Sequence, residues 1–222
     1  STDDHERIAR DGEVRTGVYP TFRPDKAWGI SNASAFLDWL ENLEQQTNKE
    51  IHSLNDFLES LAKRVNHFHE IGGRLSDHSF PTFPSEFPTE EEARSIFAKV
   101  LNEEDATAEE TKQFTGFIML FLCRLYSAKG WTMQVHLGPL RNNSSRLLSE
   151  FGPDAGTDSI GDWNQAESMS KFLDKLDMED SLPKSIVYNN NPADNFTLST
   201  MLGNFQRDLP GKMQFGSGWW HL

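Results

Sequence analysis

Short β-rich runs alternate with longer helix-spaced segments along nearly the whole of this chain, and that alternation limits what it can fold into. The β-rich runs are Val14 to Phe22, Arg74 to His78, Trp131 to Leu137, Ser185 to Tyr188 and Lys212 to Phe215. Strands separated by helices favour parallel pairing through right-handed crossovers, so the predicted class is α/β. Five such strands suit an open doubly wound sheet or part of a (β/α)8 barrel, which typically needs about 250 residues. No Gly-x-Gly-x-x-Gly or Walker-type loop follows any run, which weighs against the nucleotide-binding sheet. The polar residues gather instead at the C-terminal ends of the runs, where barrel active sites lie.

Helical spacing is clear at Phe36, Trp39, Leu40 and Leu43, and again at Leu54, Leu58, Leu61, Val65 and Phe68. Asn32 or Ser34 can cap the first of these helices, and Ser53 or Asn55 the second. A Pro/Phe-rich stretch, Phe80 to Pro88, reads as an irregular loop. Helices are predicted over Thr89 to Leu101 and Thr107 to Lys129, the second with Phe114, Phe117, Ile118, Phe121, Leu122 and Leu125 on one broad face. Two more follow, from about Asn164 to Leu176 and around Leu198 to Phe205. The domain expectation is a single partial barrel over 1–222, with a helical insertion at about 80–130.

Charge narrows the partners. With 34 Asp+Glu against 21 Lys+Arg, the formal net charge of −13 repels phosphate backbones and anionic lipid surfaces. No nucleic-acid or membrane partner is expected. No apolar stretch approaches the ~20 residues of a membrane-spanning helix, and the opening Ser1-Thr2-Asp3-Asp4-His5 lacks the basic start and apolar block of a signal peptide. The lone Cys123 has no intrachain disulfide partner, which fits a reducing, cytoplasmic compartment. At 36% hydrophobic and 11% aromatic, the chain holds too much core material for a disordered acidic tail.

Several residues could carry chemistry. Arg23, after the first run, could clamp a carboxylate bidentately; a surface Arg paired with Asp25 is the plainer alternative, and spacing alone favours it. Asp77 and His78 could bind hydroxyls or handle protons, against a turn-forming Asp beside an incidental His. Period-two alternation puts Gln134 and His136 on one face of the third run, with Arg141 in the loop beyond. A His at a strand end followed by an Arg has the makings of a site, while a hydrogen-bonded core His fits the spacing equally well. The acidic stretch Gly152 to Asp162 lacks the Ca²⁺-loop pattern and reads as a structured loop. Gln214 to Trp220 offers glycines for close approach and indoles as an apolar wall for a sugar ring.

Taken together, these segments resemble the uronate (glucuronate) isomerase family of the amidohydrolase superfamily. The resemblance rests on Phe22-Arg23-Pro24-Asp25-Lys26, Arg74-Leu75-Ser76-Asp77-His78, Trp131 through Asn143 and Gly152 to Asp162. Leu182-Pro183-Lys184, Asn191-Pro192, Gly203-Asn204-Phe205-Gln206 and Gln214 to Trp220 continue it in family order. It implies a distorted (β/α)8 barrel with extra helices. It also implies aldose–ketose isomerisation of D-glucuronate to D-fructuronate and of D-galacturonate to D-tagaturonate, often with a divalent metal such as Zn²⁺. By resemblance Asp77 and His136 are the catalytic positions, and Arg23, Arg141 and Trp219 bind the uronate. A homo-oligomer is expected.

One departure stands out. The family's His-x-His metal pair and its final-strand Asp have no counterpart in this chain, so no metal ligand is assigned. His67 and His69 are the sole i, i+2 histidine pair, but they fall on a predicted helix, where residues so spaced do not face one site. The chain therefore looks like an internal portion of a longer enzyme, incomplete for catalysis by itself. Two other readings stand beside that one: a non-catalytic fragment or sugar-acid-binding module, and a metal-dependent hydrolase of the same superfamily.

Overall fold

The computed structural model describes residues 2–207 and 209–218. In chain order the elements begin with α1 (Asp3–Arg10), β1 (Thr21–Phe22) and a short 3-10 turn at Asp25–Trp28. Next come α2 (Ala33–Thr47), α3 (Leu54–Glu70), β2 (Leu75–Phe80), α4 (Glu90–Leu101) and α5 (Ala108–Ala128). They continue with β3 (Thr132–Leu137), β4 (Pro139–Leu140), α6 (Ser145–Phe151) and β5 (Ser159–Ile160). The last are α7 (Ala166–Met178), β6 (Lys184–Asn189), α8 (Asn195–Gly203) and β7 (Met213–Phe215). Five strands form one sheet in the order β1-β2-β3-β6-β7, every pair parallel. Strands in sequence order, joined through helices, are the layout of a partial (β/α)8 barrel, as the alternation predicts. Strands β4 and β5 form a separate antiparallel pair.

Local chemistry explains the helix limits. Asn32 and Ser53 accept from the backbone N–H groups of Ala35 and Asp56, so one member of each candidate pair is the cap. Thr89 and Thr107 each close a capping box, with Glu92 and Glu110 answering the cap backbone. The most deeply packed stretch is α5, where Phe114, Ile118, Leu122, Cys123 and Tyr126 are fully buried. Its Gly116 has no space for a side chain, because a Cβ there would run into the Glu86 carbonyl. The Pro/Phe-rich stretch is thereby held against α5. Cys123 lies in this core with its thiol against the Met133 sulfur at 3.5 Å, and burial pushes its pKa well up.

The sequence pattern misplaces some elements. Of the run Val14 to Phe22, only Thr21–Phe22 is strand, and Val14, Val18 and Tyr19 are exposed. β-branched and aromatic residues there satisfy strand propensity, but only the last two residues reach β2, pairing Thr21 with Leu75 and Phe22 with Ser76. Helices α1 and α6 were not predicted. Neither buries a residue, so neither carries the apolar stripe that marks a helix in sequence.

Candidate active site

Strand register assembles the site. Residues directly paired in a parallel sheet share a face, and Asp77 pairs with Gln134, Ser79 with His136, and His136 with Tyr188. Alternate residues Ser76, His78, Phe80, Met133, Val135 and Leu137 turn to the opposite, helix-covered face and are buried. The face that includes Asp77, Ser79, Gln134, His136 and Tyr188 is polar and partly open.

At the C-terminal ends of β1, β2 and β3 the charged side chains form a chain of contacts. Arg23 Nη1 donates to Asp77 Oδ2 at 2.9 Å, and Asp77 Oδ1 lies 2.7 Å from His136 Nδ1. Burial alone would push the Asp77 carboxyl up, but the hydrogen bond and charge of His136, with the charge of Arg23, hold it below its ordinary range. A carboxylate so close makes Nδ1 a protonated nitrogen of the His136 ring. That ring stacks on Tyr188 with centroids 4.9 Å apart, and the Tyr188 hydroxyl donates to Gln134 Oε1 at 2.9 Å.

Arg141 reaches the same end of the sheet from the loop after β4. Its Nη1 donates to Asp158 Oδ2 at 2.9 Å and its Nη2 to Ser79 Oγ at 3.1 Å. Asp158 also accepts from the Asn142 backbone N–H at 2.8 Å, so the acidic stretch is a structured loop that orients Arg141. Gly138, with φ +93°, lets the chain turn from β3 into β4 where a Cβ would strike the Asn190 side chain. Arg23, Asp25, Lys26, Trp39, Ser79, Arg141 and Asp154 line a cavity of about 680 Å³ at this end. A cavity of about 430 Å³ lies beyond the opposite strand ends, against Trp131, Lys184 and Lys212; its Arg207 and Asp180 are paired with each other and hold no acid–base couple.

The structure thus brings Arg23, Asp77, His136 and Arg141 together. Trp219, expected from the resemblance to bind the uronate, lies outside the described residues. Ser79, Tyr188 and Asp158 join the site without having been singled out; for Ser79 and Tyr188, register against His136 is the signal that finds them. His67 and His69 lie on α3, apart from the site, where His67 meets the Thr2 hydroxyl and His69 accepts from the Trp131 indole.

Among the described residues, no group of three or more His, Cys, Asp or Glu side chains could hold a metal ion. The two histidines at these strand ends are each committed to a carboxylate, His136 to Asp77 and His78 to Asp25. These residues by themselves do not fit a divalent cation.

Comparison with known proteins agrees with this fold. The family model described as glucuronate isomerase matches residues 1–222. The chain belongs to the glucuronate isomerase family. Among curated members, the uronate isomerase of Opitutus terrae is 49% identical over 223 residues, covering 100% of this chain and 47% of that protein. The uronate isomerase of Solibacter usitatus is 48% identical over 225 residues, covering 100% of this chain and 48% of that protein. A crystal structure of uronate isomerase from Thermotoga maritima superposes with a TM-score of 0.85 at 26% identity, covering 99% of this chain and 47% of that one. The chain spans about half the length of the curated glucuronate isomerase relatives it matches. No helix among the described residues is long and apolar enough to cross a membrane.

Proposed function

We propose that this chain supplies the sugar-acid-binding and proton-handling part of a uronate isomerase that interconverts D-glucuronate and D-fructuronate, and likewise D-galacturonate and D-tagaturonate. The observation that carries the reading is the contact chain Arg23–Asp77–His136, whose Arg23 lines one cavity with Arg141 at the strand ends of a chain from the glucuronate isomerase family. Aldose–ketose isomerisation moves a proton from C2 to C1 and another from the C2 hydroxyl to the C1 oxygen, so that the carbonyl passes from C1 to C2. It needs a base beside the carbon and a cation or donor for the developing oxyanion. Asp77 and His136 are the proton-handling pair, with the carboxylate fixing the ring's protonated nitrogen. Arg23 and Arg141, whose planar guanidinium groups match a carboxylate, hold the uronate carboxylate and hydroxyls. Trp219 is assigned as an apolar wall for the sugar ring by resemblance.

A divalent metal, Zn²⁺ by family resemblance, belongs to this reading, with its ligands drawn from outside the described residues. A cytoplasmic location, a homo-oligomer, and one partial barrel domain in which α4 and α5 form the helical insertion complete it.

The test uses this chain within a protein of its relatives' length. Glucuronate isomerisation by the wild type is expected. Arg23→Met or Arg141→Met should lower kcat/KM for glucuronate about tenfold to a hundredfold, the equivalent of a charge-assisted hydrogen bond of ~1.5–3 kcal/mol, while binding of the neutral parent sugar changes less. Lys at either position should recover only part of the loss. Wild-type-like values in both Met variants would remove the carboxylate-clamp assignment. Uronate binding without turnover would favour a non-catalytic sugar-acid-binding role.

A further inference from the structure

We propose that Asp25 is a positioning residue that sets both arginines of the cavity, acting through His78 and Ser79. The proposal takes from the uronate reading only the identity of the ligand.

Asp25 does more than neutralise its neighbour Arg23. Its Oδ1 accepts from Nδ1 of His78 at 3.1 Å and its Oδ2 from the backbone N–H of Ser79 at 3.0 Å, while Arg23 Nε stands 3.6 Å from Oδ2. His78 is fully buried on the helix-covered face of β2, its ring between Trp28 and Tyr126 at centroid distances of 5.7 and 5.8 Å. Burying an imidazole in an aromatic sleeve is favoured when its N–H is paired, and here a carboxylate 53 residues away in sequence accepts the Nδ1–H hydrogen bond.

The consequence follows from alternation along β2. Asp77 and Ser79 point to the open face and His78 to the covered one, so Asp25 grips the middle residue by its ring and the last by its backbone. Both arginine contacts hang from the segment so anchored. Arg23 bonds Asp77 at 2.9 Å and Arg141 bonds Ser79 Oγ at 3.1 Å. One carboxylate in the turn after β1 therefore fixes a strand end on which two guanidinium groups are hung.

Asp25→Asn tests this because an amide cannot accept both bonds. With its oxygen on the Ser79 N–H, its NH₂ meets His78 Nδ1 and drives the ring to the Nε2–H tautomer, where no partner waits among the described residues. In a protein of the relatives' length carrying this chain, kcat/KM for glucuronate should fall about tenfold to a hundredfold, the loss expected when binding groups shift by roughly an ångström. In an Arg23→Met background, Asp25→Asn should cost less than it does in the wild type and keep only the part carried through Arg141, since Asp25 and Arg23 act as one unit. Fully multiplying losses would overturn the proposal.

Nitrogen NMR gives a reading independent of turnover. Wild-type His78 should be a neutral Nδ1–H tautomer, and Asp25→Asn should shift the Nε–H resonances of both Arg23 and Arg141. A wild-type Nε2–H ring, or an unmoved Arg141, would show Asp25 to be a local staple only. Should Asp25→Asn fail to fold, His78→Asn keeps a donor towards Asp25 and should leave both arginine resonances in place, whereas His78→Leu should move them; the reverse pattern would overturn the proposal. If the wild type neither binds nor isomerises glucuronate, the uronate reading falls, and the tautomer and arginine resonances still decide the role of Asp25.

Discussion

The two faces of the five-stranded sheet are built from the same strands and differ in almost every physical respect. On the helix-covered face, Phe22, Phe80, Met133, Val135, Leu137, Val187 and Met213 are buried, and His78 among them is paired by Asp25. On the other face, Asp77, Gln134, His136 and Tyr188 are partly open and bonded to one another or to Arg23. Parallel sheets usually bury both faces and read as continuous apolar runs. Here the runs alternate, because one face supplies cohesion through apolar burial and the other presents chemistry. Charge on the open face is affordable only because α5 and its neighbours seal the opposite side.

The largest effect that could break this contrast lies under the sheet. Leu122→Ala, at a fully buried position of α5, should cost ~2–5 kcal/mol in urea melts. A loss below about 0.5 kcal/mol would mean that the covered face is not the source of cohesion. On the open face the expected effect is smaller. Tyr188→Phe removes the hydroxyl bond to Gln134 but keeps the ring on His136, so stability should fall by only ~0.5–1.5 kcal/mol. A loss as large as that of Leu122→Ala would erase the distinction between the faces.

The smallest effect sharpens the contrast through pH. Asp77 is depressed below its ordinary 3.8 in the fold, so its contribution is present above that value and is lost as pH falls through the lower folded one. Glu110, at the cap of α5, is pulled down to about 2 by Lys99 and Thr107, and its contribution fades between its ordinary 4.5 and that value. Acid titration of stability should therefore show an open-face limb removed by Asp77→Asn and a helix-cap limb removed by Glu110→Gln. A single limb abolished by either substitution would show that the two faces unfold as one electrostatic unit.

Much of this was legible before any coordinates. The cap candidates Asn32 and Ser53, the helix starts at Thr89 and Thr107, the apolar stripe of α5, four of the five strands and the shared face of Gln134 and His136 follow from local periodicity and side-chain chemistry. The bounds of β1 did not, because Val14 to Tyr19 carries strand propensity with no partner strand to satisfy it. Ser79 and Tyr188 were invisible as site residues, since their place depends on which residue of β3 they pair with.

What the sequence by itself determined is therefore the alternation, the limits of α4 and α5, the polar strand ends and, through motifs in family order, membership of the glucuronate isomerase family. Only the tertiary structure decided that Asp77 meets His136, that Arg141 leans on Asp158 and Ser79, and that Asp25 reaches His78. The physical reason is range. Helix and strand patterns arise between residues a few positions apart, whereas register and ion pairing are settled between segments tens of residues apart once burial has set the strands side by side.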